Sequence, residues 1–149
     1  MLDIIIKNGE CYIDGTLKKK DIGILKNKIV KIGDLKDESK EVFDAKELTV
    51  LPGCIDTQVH FREPGLSHKE DISTGTNAAL LGGVTTIFEM PNTSPATINK
   101  IELEKKLKIA KQSSWVNYSF FIGACKENLS KLPKLEKIKG CAGIKIFMG

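Results

Sequence analysis

Sequence signals of a membrane, secreted or nucleic-acid-binding protein are scarce in this chain. The four cysteines form no Cys-x-x-Cys pair, which favours reduced thiols in the cytoplasm over a zinc ribbon or a disulfide framework. No apolar run approaches the roughly 20 residues of a membrane-spanning helix, and the amino terminus lacks the positive region of a signal peptide. The net charge of +4 comes from scattered lysines, and the lysines at 18–20 are too few to predict nucleic-acid binding. We therefore expect a cytoplasmic protein with no membrane or nucleic-acid partner.

The first 51 residues predict a small β-sheet unit. Short segments of apolar and β-branched residues alternate with turn signals along this part of the chain. The pairs Asn8-Gly9 and Asp14-Gly15 are typical of tight hairpin turns, because both central positions of such turns need a positive φ. The sequence therefore predicts a meander of strands over residues 1–51.

From residue 52 onward the pattern changes to strands separated by helices. We predict strands at 54–59, 84–88, 116–122 and 142–148, and helices at 69–81, 100–112 and, in part, 128–139. This alternation is typical of a parallel βα array. A complete (β/α)₈ barrel needs roughly 250 residues, so residues 52–149 account for four of its eight units. The predicted fold class is α/β, with a small amino-terminal β-sheet unit followed by an incomplete barrel.

Three polar residues mark the end of the first predicted barrel strand. Gln58, His60 and Arg62 alternate with apolar residues, and a spacing of two places their side chains on one face of an extended segment. Barrel enzymes carry their metal ligands and substrate-binding groups at this end of the strands. Imidazole is a good zinc ligand, and a guanidinium can hold a carboxylate through two parallel hydrogen bonds. The alternatives are a hydrogen-bonded structural histidine and an arginine paired with Glu63 or Glu70.

Two further polar residues accompany the later strands. Asn92 comes directly after the second barrel strand, in Met90-Pro91-Asn92-Thr93, and Lys145 lies in the apolar fourth strand. An asparagine after a proline is common in turns. A lysine in an apolar strand is costly unless it is paired, modified or exposed at a sheet edge. Both residues are candidates for a site at the carboxyl ends of the strands, and structural roles stay open for both.

Taken together, these motifs closely resemble those of the dihydroorotases, cyclic-amide hydrolases of the amidohydrolase superfamily. The first motif of that family reads Asp-x-His-x-His-x-Arg-Glu-Pro-Gly, and the chain matches it from Asp56 to Gly65 except that Gln58 replaces one histidine. Residues 90–93 and the His-Lys-Glu-Asp at 68–71 also match the family. The resemblance implies an amidohydrolase-type TIM barrel with two zinc ions. The implied reaction is the reversible cyclisation of N-carbamoyl-aspartate to dihydroorotate in pyrimidine biosynthesis.

The resemblance also implies roles for individual residues. His60 would bind zinc, Gln58 stands at the degenerate position of the second zinc histidine, and Lys145, if carboxylated, would bridge the two metals. Arg62 and Asn92 would hold the substrate carboxylate. Allantoinase-like chains resemble the same stretch but tend not to carry the arginine, which favours a dihydroorotase.

Two departures from the family pattern bear on activity. A glutamine amide offers zinc only a weak carbonyl oxygen, so metal affinity at Gln58 should fall. The family's remaining zinc histidines and its catalytic aspartate belong to strands five, six and eight, so no catalytic residue is retained within residues 52–149. We therefore predict an inactive, truncated dihydroorotase-like remnant. The alternatives are one half of a zinc-dependent dihydroorotase completed by another chain, and a non-catalytic partner of a full-length homologue. An oligomer or partner chain would cover the open half-barrel.

Overall fold

The computed structural model describes residues 1–148, and the chain divides into two units, Met1–Pro52 and a second unit that begins at Gly53. Strands alone make up the first unit, whereas strands and helices alternate in the second. The predicted α/β fold class, a β-sheet unit followed by a parallel βα array, is therefore confirmed.

Seven strands form the first unit. In chain order they are β1 (Leu2–Lys7), β2 (Glu10–Ile13), β3 (Thr16–Lys19), β4 (Asp21–Leu25), β5 (Lys28–Gly33), β6 (Ser39–Asp44) and β7 (Thr49–Val50). They are arranged in two sheets, with the strand orders β5-β4-β1-β6 and β3-β2-β7.

The hairpin predicted at Asp14-Gly15 forms, whereas the hairpin predicted at Asn8-Gly9 does not. Asp14 and Gly15 have φ values of 50° and 79° and join the antiparallel strands β2 and β3. At Asn8-Gly9 the chain instead passes from one sheet to the other, because β1 pairs with β4 and β6 while β2 pairs with β3 and β7. The Asn8 side chain donates a hydrogen bond to Asp44 at 2.8 Å, which ties this crossing to the end of β6. The strands therefore do not form the predicted meander.

The second unit contains four parallel strands with helices between them. Its elements are β8 (Cys54–Val59), α1 (Ile72–Leu81), β9 (Val84–Glu89), α2 (Lys100–Ser113), β10 (Asn117–Gly123), a 3₁₀ turn (Leu129–Lys131), α3 (Leu132–Leu135) and β11 (Cys141–Lys145). The strand order is β11-β10-β9-β8, and each neighbouring pair is parallel. The last strand ends at Lys145, three residues before its predicted end.

Side-chain caps determine where the two longer helices begin. Asp71 caps α1 by accepting a hydrogen bond from the Thr74 amide at 2.7 Å, so the helix begins at Ile72 rather than at the predicted residue 69. Asn99 caps α2 as predicted, because its side chain accepts from the Glu102 amide at 3.0 Å.

The core of the second unit lies between the helices and the sheet. Its buried residues come from all three helices and from β10, and they are Ile72, Leu103, Ala110, Phe120, Ile122 and Leu135. Burying a leucine or phenylalanine side chain contributes about 1.5–3 kcal/mol to folding. This packing holds the strands in register and so fixes the loops at their carboxyl ends.

Within residues 1–148, no helix is both long and apolar enough to cross a membrane. The four cysteines of this part of the chain are free thiols. Cys11 is buried, and its thiol donates to the carbonyl oxygen of Lys20 at 3.1 Å. It therefore packs as a small core residue of the first unit.

Candidate functional site

Three of the predicted site residues meet where β8 and β9 end. His60 Nδ1 lies 2.9 Å from Asn92 Oδ1, and Arg62 Nη1 donates to the Asn92 carbonyl oxygen at 3.4 Å. All three residues are partly buried. We call His60, Arg62 and Asn92 the strand-end site. The structure therefore places a predicted zinc ligand beside the two predicted carboxylate-binding residues.

The contact with Asn92 selects the tautomer of a neutral His60 ring. An amide oxygen can only accept a hydrogen bond, so Nδ1 of a neutral His60 carries the proton. Nε2 then retains its lone pair. A hydrogen bond of this kind also holds the plane of the ring. His60 can therefore present Nε2 either to a metal ion or to an N–H group of a ligand.

Arg62, the only arginine in the sequence, has a strained backbone. Its φ is 70°, in the left-handed region that costs a non-glycine residue roughly 1–2 kcal/mol. The Arg62 amide donates to Glu89 Oε1 at 3.1 Å, which stabilises this conformation. Strained backbones of this kind concentrate at functional sites.

The predicted alternative of a salt bridge from Arg62 to Glu63 or Glu70 is wrong for the described residues 1–148. Glu63 Oε2 accepts from the Ile72 amide at 2.9 Å, so it caps the start of α1. Glu70 Oε1 accepts from the hydroxyl of Thr74 and from the amide of Asp71. Both carboxylates thus serve the helix, and neither neutralises the guanidinium.

A buried ion pair lies next to the strand-end site. Glu89 Oε2 is 2.6 Å from Lys106 Nζ, and the side chains are 0% and 1% exposed. Lys106 also donates to the Met90 carbonyl oxygen at 3.2 Å and lies 5.0 Å from the centre of the Phe120 ring. Burial raises the pKa of Glu89 and lowers the pKa of Lys106, and the attraction between the two charges opposes both shifts.

The interpretation of the sequence did not identify Lys106. Its place in the sequence could have indicated that it is buried. Lys106 follows Leu103 by three residues and precedes Ala110 by four, so it lies on the same helix face as these core residues. A lysine on the buried face of a helix needs a partner of opposite charge. Glu89, the last residue of β9, is that partner.

Gln58 and Lys145, the other two predicted site residues, lie on different strands of the sheet. Gln58 is exposed near the end of β8, whereas Lys145 ends β11 and its Nζ lies 5.3 Å from the centre of the Phe147 ring. β8 and β11 are the two edges of the described sheet. Three strand spacings separate them, roughly 14 Å if the sheet were flat.

The described residues do not fit a complete zinc site. His60 offers one imidazole nitrogen, Gln58 offers a weak amide oxygen, and a lysine ammonium such as that of Lys145 has donors but no acceptor. Within residues 1–148 no group of three or more histidine, cysteine, aspartate or glutamate side chains is placed to hold a metal ion. His68 is exposed and lies in the turn before α1. What this part of the chain does provide is a cluster of hydrogen-bond donors suited to a carboxylate.

Known proteins share both the sequence and the fold of the chain. A family model described as dihydro-orotase-like matches residues 48–139. Allantoinase from Escherichia coli (strain K12) is 39% identical over 147 residues, which cover 98% of this chain and 32% of that protein. L-hydantoinase (dihydropyrimidinase) from Arthrobacter aurescens is 28% identical, with a TM-score of 0.91 over 97% of this chain and 32% of its own. Dihydropyrimidinase from Brevibacillus agri is 28% identical, with a TM-score of 0.83 over 100% of this chain and 33% of its own.

The chain spans about a third of the length of these relatives. Their names denote different activities, namely those of an allantoinase, a hydantoinase and a dihydropyrimidinase, so they support cyclic amidohydrolase ancestry without singling out dihydroorotase. The match to the family model covers more than half of the chain and includes the segment that carries Gln58, His60 and Arg62. The chain therefore belongs to the dihydroorotase-like family of cyclic amidohydrolases, in the amidohydrolase superfamily.

Proposed function

We propose that the strand-end site binds the carboxylate of a dihydroorotate-like cyclic amide. The observation that carries this proposal is the contact of Arg62 Nη1 and His60 Nδ1 with the same residue, Asn92. An arginine has five N–H donors, and the contact to the Asn92 carbonyl uses one of them. The remaining guanidinium donors and the Asn92 amide group can then hold a carboxylate, while His60 Nε2 accepts from a ring N–H.

We further propose that this chain does not hydrolyse such a ligand by itself. Positions 58, 60 and 145 would be the zinc positions of the ancestral enzyme, with Lys145 acting after carboxylation. Gln58 weakens that set because an amide oxygen is a poor substitute for imidazole. The chain would then be an inactive dihydroorotase-like protein of the cytoplasm that retains the carboxylate-binding part of its site.

Binding and turnover can be measured separately. We expect isothermal titration of the chain with L-dihydroorotate to show binding without turnover, with zinc and bicarbonate either present or absent. Arg62→Met should weaken binding roughly ten- to hundredfold, because a hydrogen bond to a charged group contributes about 1.5–3 kcal/mol. The exposed Lys108→Met serves as the control for loss of a positive charge. Turnover by the unmodified chain would contradict the proposed inactivity, and equal losses in both variants would contradict a specific role for Arg62.

A second candidate ligand is a ureide without a carboxylate. The 39% identity to allantoinase favours it, as does the likeness to hydantoinases. The same titration with allantoin and hydantoin distinguishes the two classes of ligand. Tighter binding of either compound than of dihydroorotate, with no effect of Arg62→Met, would favour the ureide.

The other alternative is a working enzyme that needs a second chain. β8 and β11 are unpaired edges of the described sheet, and a parallel sheet is ordinarily covered or closed. Dihydroorotase activity that appears only when a partner chain is added would support this alternative. A stable complex that forms without zinc and without activity would instead indicate a non-catalytic partner of a full-length homologue.

A further inference from the structure

The buried ion pair connects the two segments that carry the strand-end site. Glu89 Oε1 accepts from the Arg62 amide at 3.1 Å, and Glu89 Oε2 lies 2.6 Å from Lys106 Nζ. Lys106 Nζ in turn donates to the Met90 carbonyl oxygen at 3.2 Å. One chain of polar contacts therefore runs from the segment after β8, through the pair, to the segment after β9.

We infer that Glu89 and Lys106 are positioning residues that set the distance between the Arg62 guanidinium and Asn92. Glu89 holds the backbone of residue 62, and Lys106 holds the carbonyl two residues before Asn92. The consequence for ligand affinity rests on the proposed carboxylate-binding function. The geometric part of the inference stands independently of that function.

The burial of the pair makes it suited to this role. Both side chains are almost completely excluded from water, so either charge alone would be strongly disfavoured. Because each partner needs the other, neither can adopt another rotamer without leaving a buried charge unpaired. The Phe120 ring packs 5.0 Å from Lys106 Nζ and restricts the ammonium further. The two ends of the polar chain are consequently held at a fixed separation.

The backbone conformation of Arg62 is unfavourable by itself and depends on the hydrogen bond to Glu89. A φ of 70° is unfavourable for an arginine, and the hydrogen bond from its amide to Glu89 offsets that cost. Without a carboxylate acceptor the backbone at residue 62 can relax to an ordinary negative φ. That change redirects the side chain, so the guanidinium would leave the Asn92 carbonyl oxygen.

A second contact between the same segments provides the competing explanation. The Ser94 amide donates to the Pro64 carbonyl oxygen at 3.0 Å. A Cβ on Gly65 would lie 1.9 Å from the Ser94 carbonyl oxygen, so the two loops are packed backbone against backbone. If this loop contact alone sets the distance between the Arg62 guanidinium and Asn92, the ion pair only stabilises the fold.

The test compares three variants of the complete chain with a matched control. The variants are Glu89→Met, which removes the acceptor of the Arg62 amide, Lys106→Met, and the double variant with both changes. The control is Glu104→Gln, which removes an exposed ion pair with Lys100 on the same helix. The measurements are the ¹³Cα and ¹³Cβ chemical shifts of Arg62, which report its φ, and the affinity for L-dihydroorotate by isothermal titration.

We expect the Arg62 shifts of Glu89→Met and of the double variant to move toward values typical of negative φ, with roughly tenfold weaker dihydroorotate binding. The control should leave both quantities unchanged. Where a single variant unfolds, the double variant carries the test because it leaves no unpaired buried charge. A folded double variant with unchanged Arg62 shifts would overturn the inference and assign the geometry to the loop contact. Absence of dihydroorotate binding by the unmodified chain would refute the proposed function instead, while the Arg62 shifts still decide the positioning role.

Discussion

At the scale of single residues, position 58 governs how well the site could hold a metal ion. Gln58 precedes His60 by two residues, a spacing that places two side chains on one face of a regular strand. An imidazole binds zinc through a nitrogen at about 2.0–2.1 Å, whereas an amide oxygen binds it only weakly. The sequence therefore keeps the spacing of a two-histidine pair, and one of the two imidazoles is missing.

Gln58→His should raise the zinc affinity of the chain several-fold, because a second imidazole joins His60 on one face of the strand. Zinc titration followed by native mass spectrometry measures the effect. Thr57→His is the matched control, since it adds the same side chain on the opposite face. Equal affinities for the two variants would mean that the face does not matter and that positions 58 and 60 form no site.

Lys106 shows which residue roles a sequence does not reveal. It lies among other lysines in Lys105-Lys106-Leu107-Lys108, a pattern typical of an exposed helix face. Its partner, Glu89, is 17 residues away at the end of β9, so the pair exists only after the helix has packed on the sheet. The proximity of His60, Arg62 and Asn92 could be predicted, because the ends of neighbouring parallel strands come together in such a fold, and their roles in binding stay predictions.

At the scale of secondary structure, the boundaries depend on which polar side chains reach free backbone groups. The periodic apolar positions predicted α2, and Asn99 fixed its start. α1 was predicted three residues too early because the polar run at 68–71 resembles a first helical turn. Asn8-Gly9 is a strong hairpin signal, yet β1 pairs with β4 and β6 and not with β2. Long-range strand pairing thus overrode a local turn preference.

Removal of the Asp71 cap should destabilise the second unit. Asp71→Ala leaves the Thr74 amide without its 2.7 Å acceptor, and loss of such a cap costs about 1 kcal/mol in the free energy of unfolding. Urea denaturation followed by circular dichroism measures the change. Asp71→Asn is the matched control, because an asparagine caps equally well and should stay within a few tenths of a kcal/mol of the unmodified chain. An equal loss in both variants would indicate that the charge of Asp71, not its cap, stabilises the helix.

At the scale of the whole molecule, the charges make stability depend on pH. Hydrogen bonds lower the pKa values of three aspartates. The chief donor is Lys40 for Asp3, the Thr74 amide for Asp71 and the Asn8 side chain for Asp44. A carboxyl whose pKa is lower in the folded state stabilises the fold at pH values above its ordinary pKa of 3.8. That contribution is lost as the pH falls through the lower folded value. Glu89 has the opposite sign, because burial raises its pKa in the folded state.

We therefore expect the urea midpoint of the chain to fall as the pH decreases below about 4, since several lowered aspartates outweigh one raised glutamate. Urea denaturation at intervals between pH 3 and pH 7 provides the measurement. Asp44→Asn should make the decrease shallower, because it removes one titrating group while keeping an acceptor for Asn8. A midpoint that rises on acidification would instead mean that protonation of the buried Glu89 dominates. In that case the charged Glu89 would lower the free energy of unfolding by more than the surface aspartates raise it. A buried ion pair can carry such a net cost in stability.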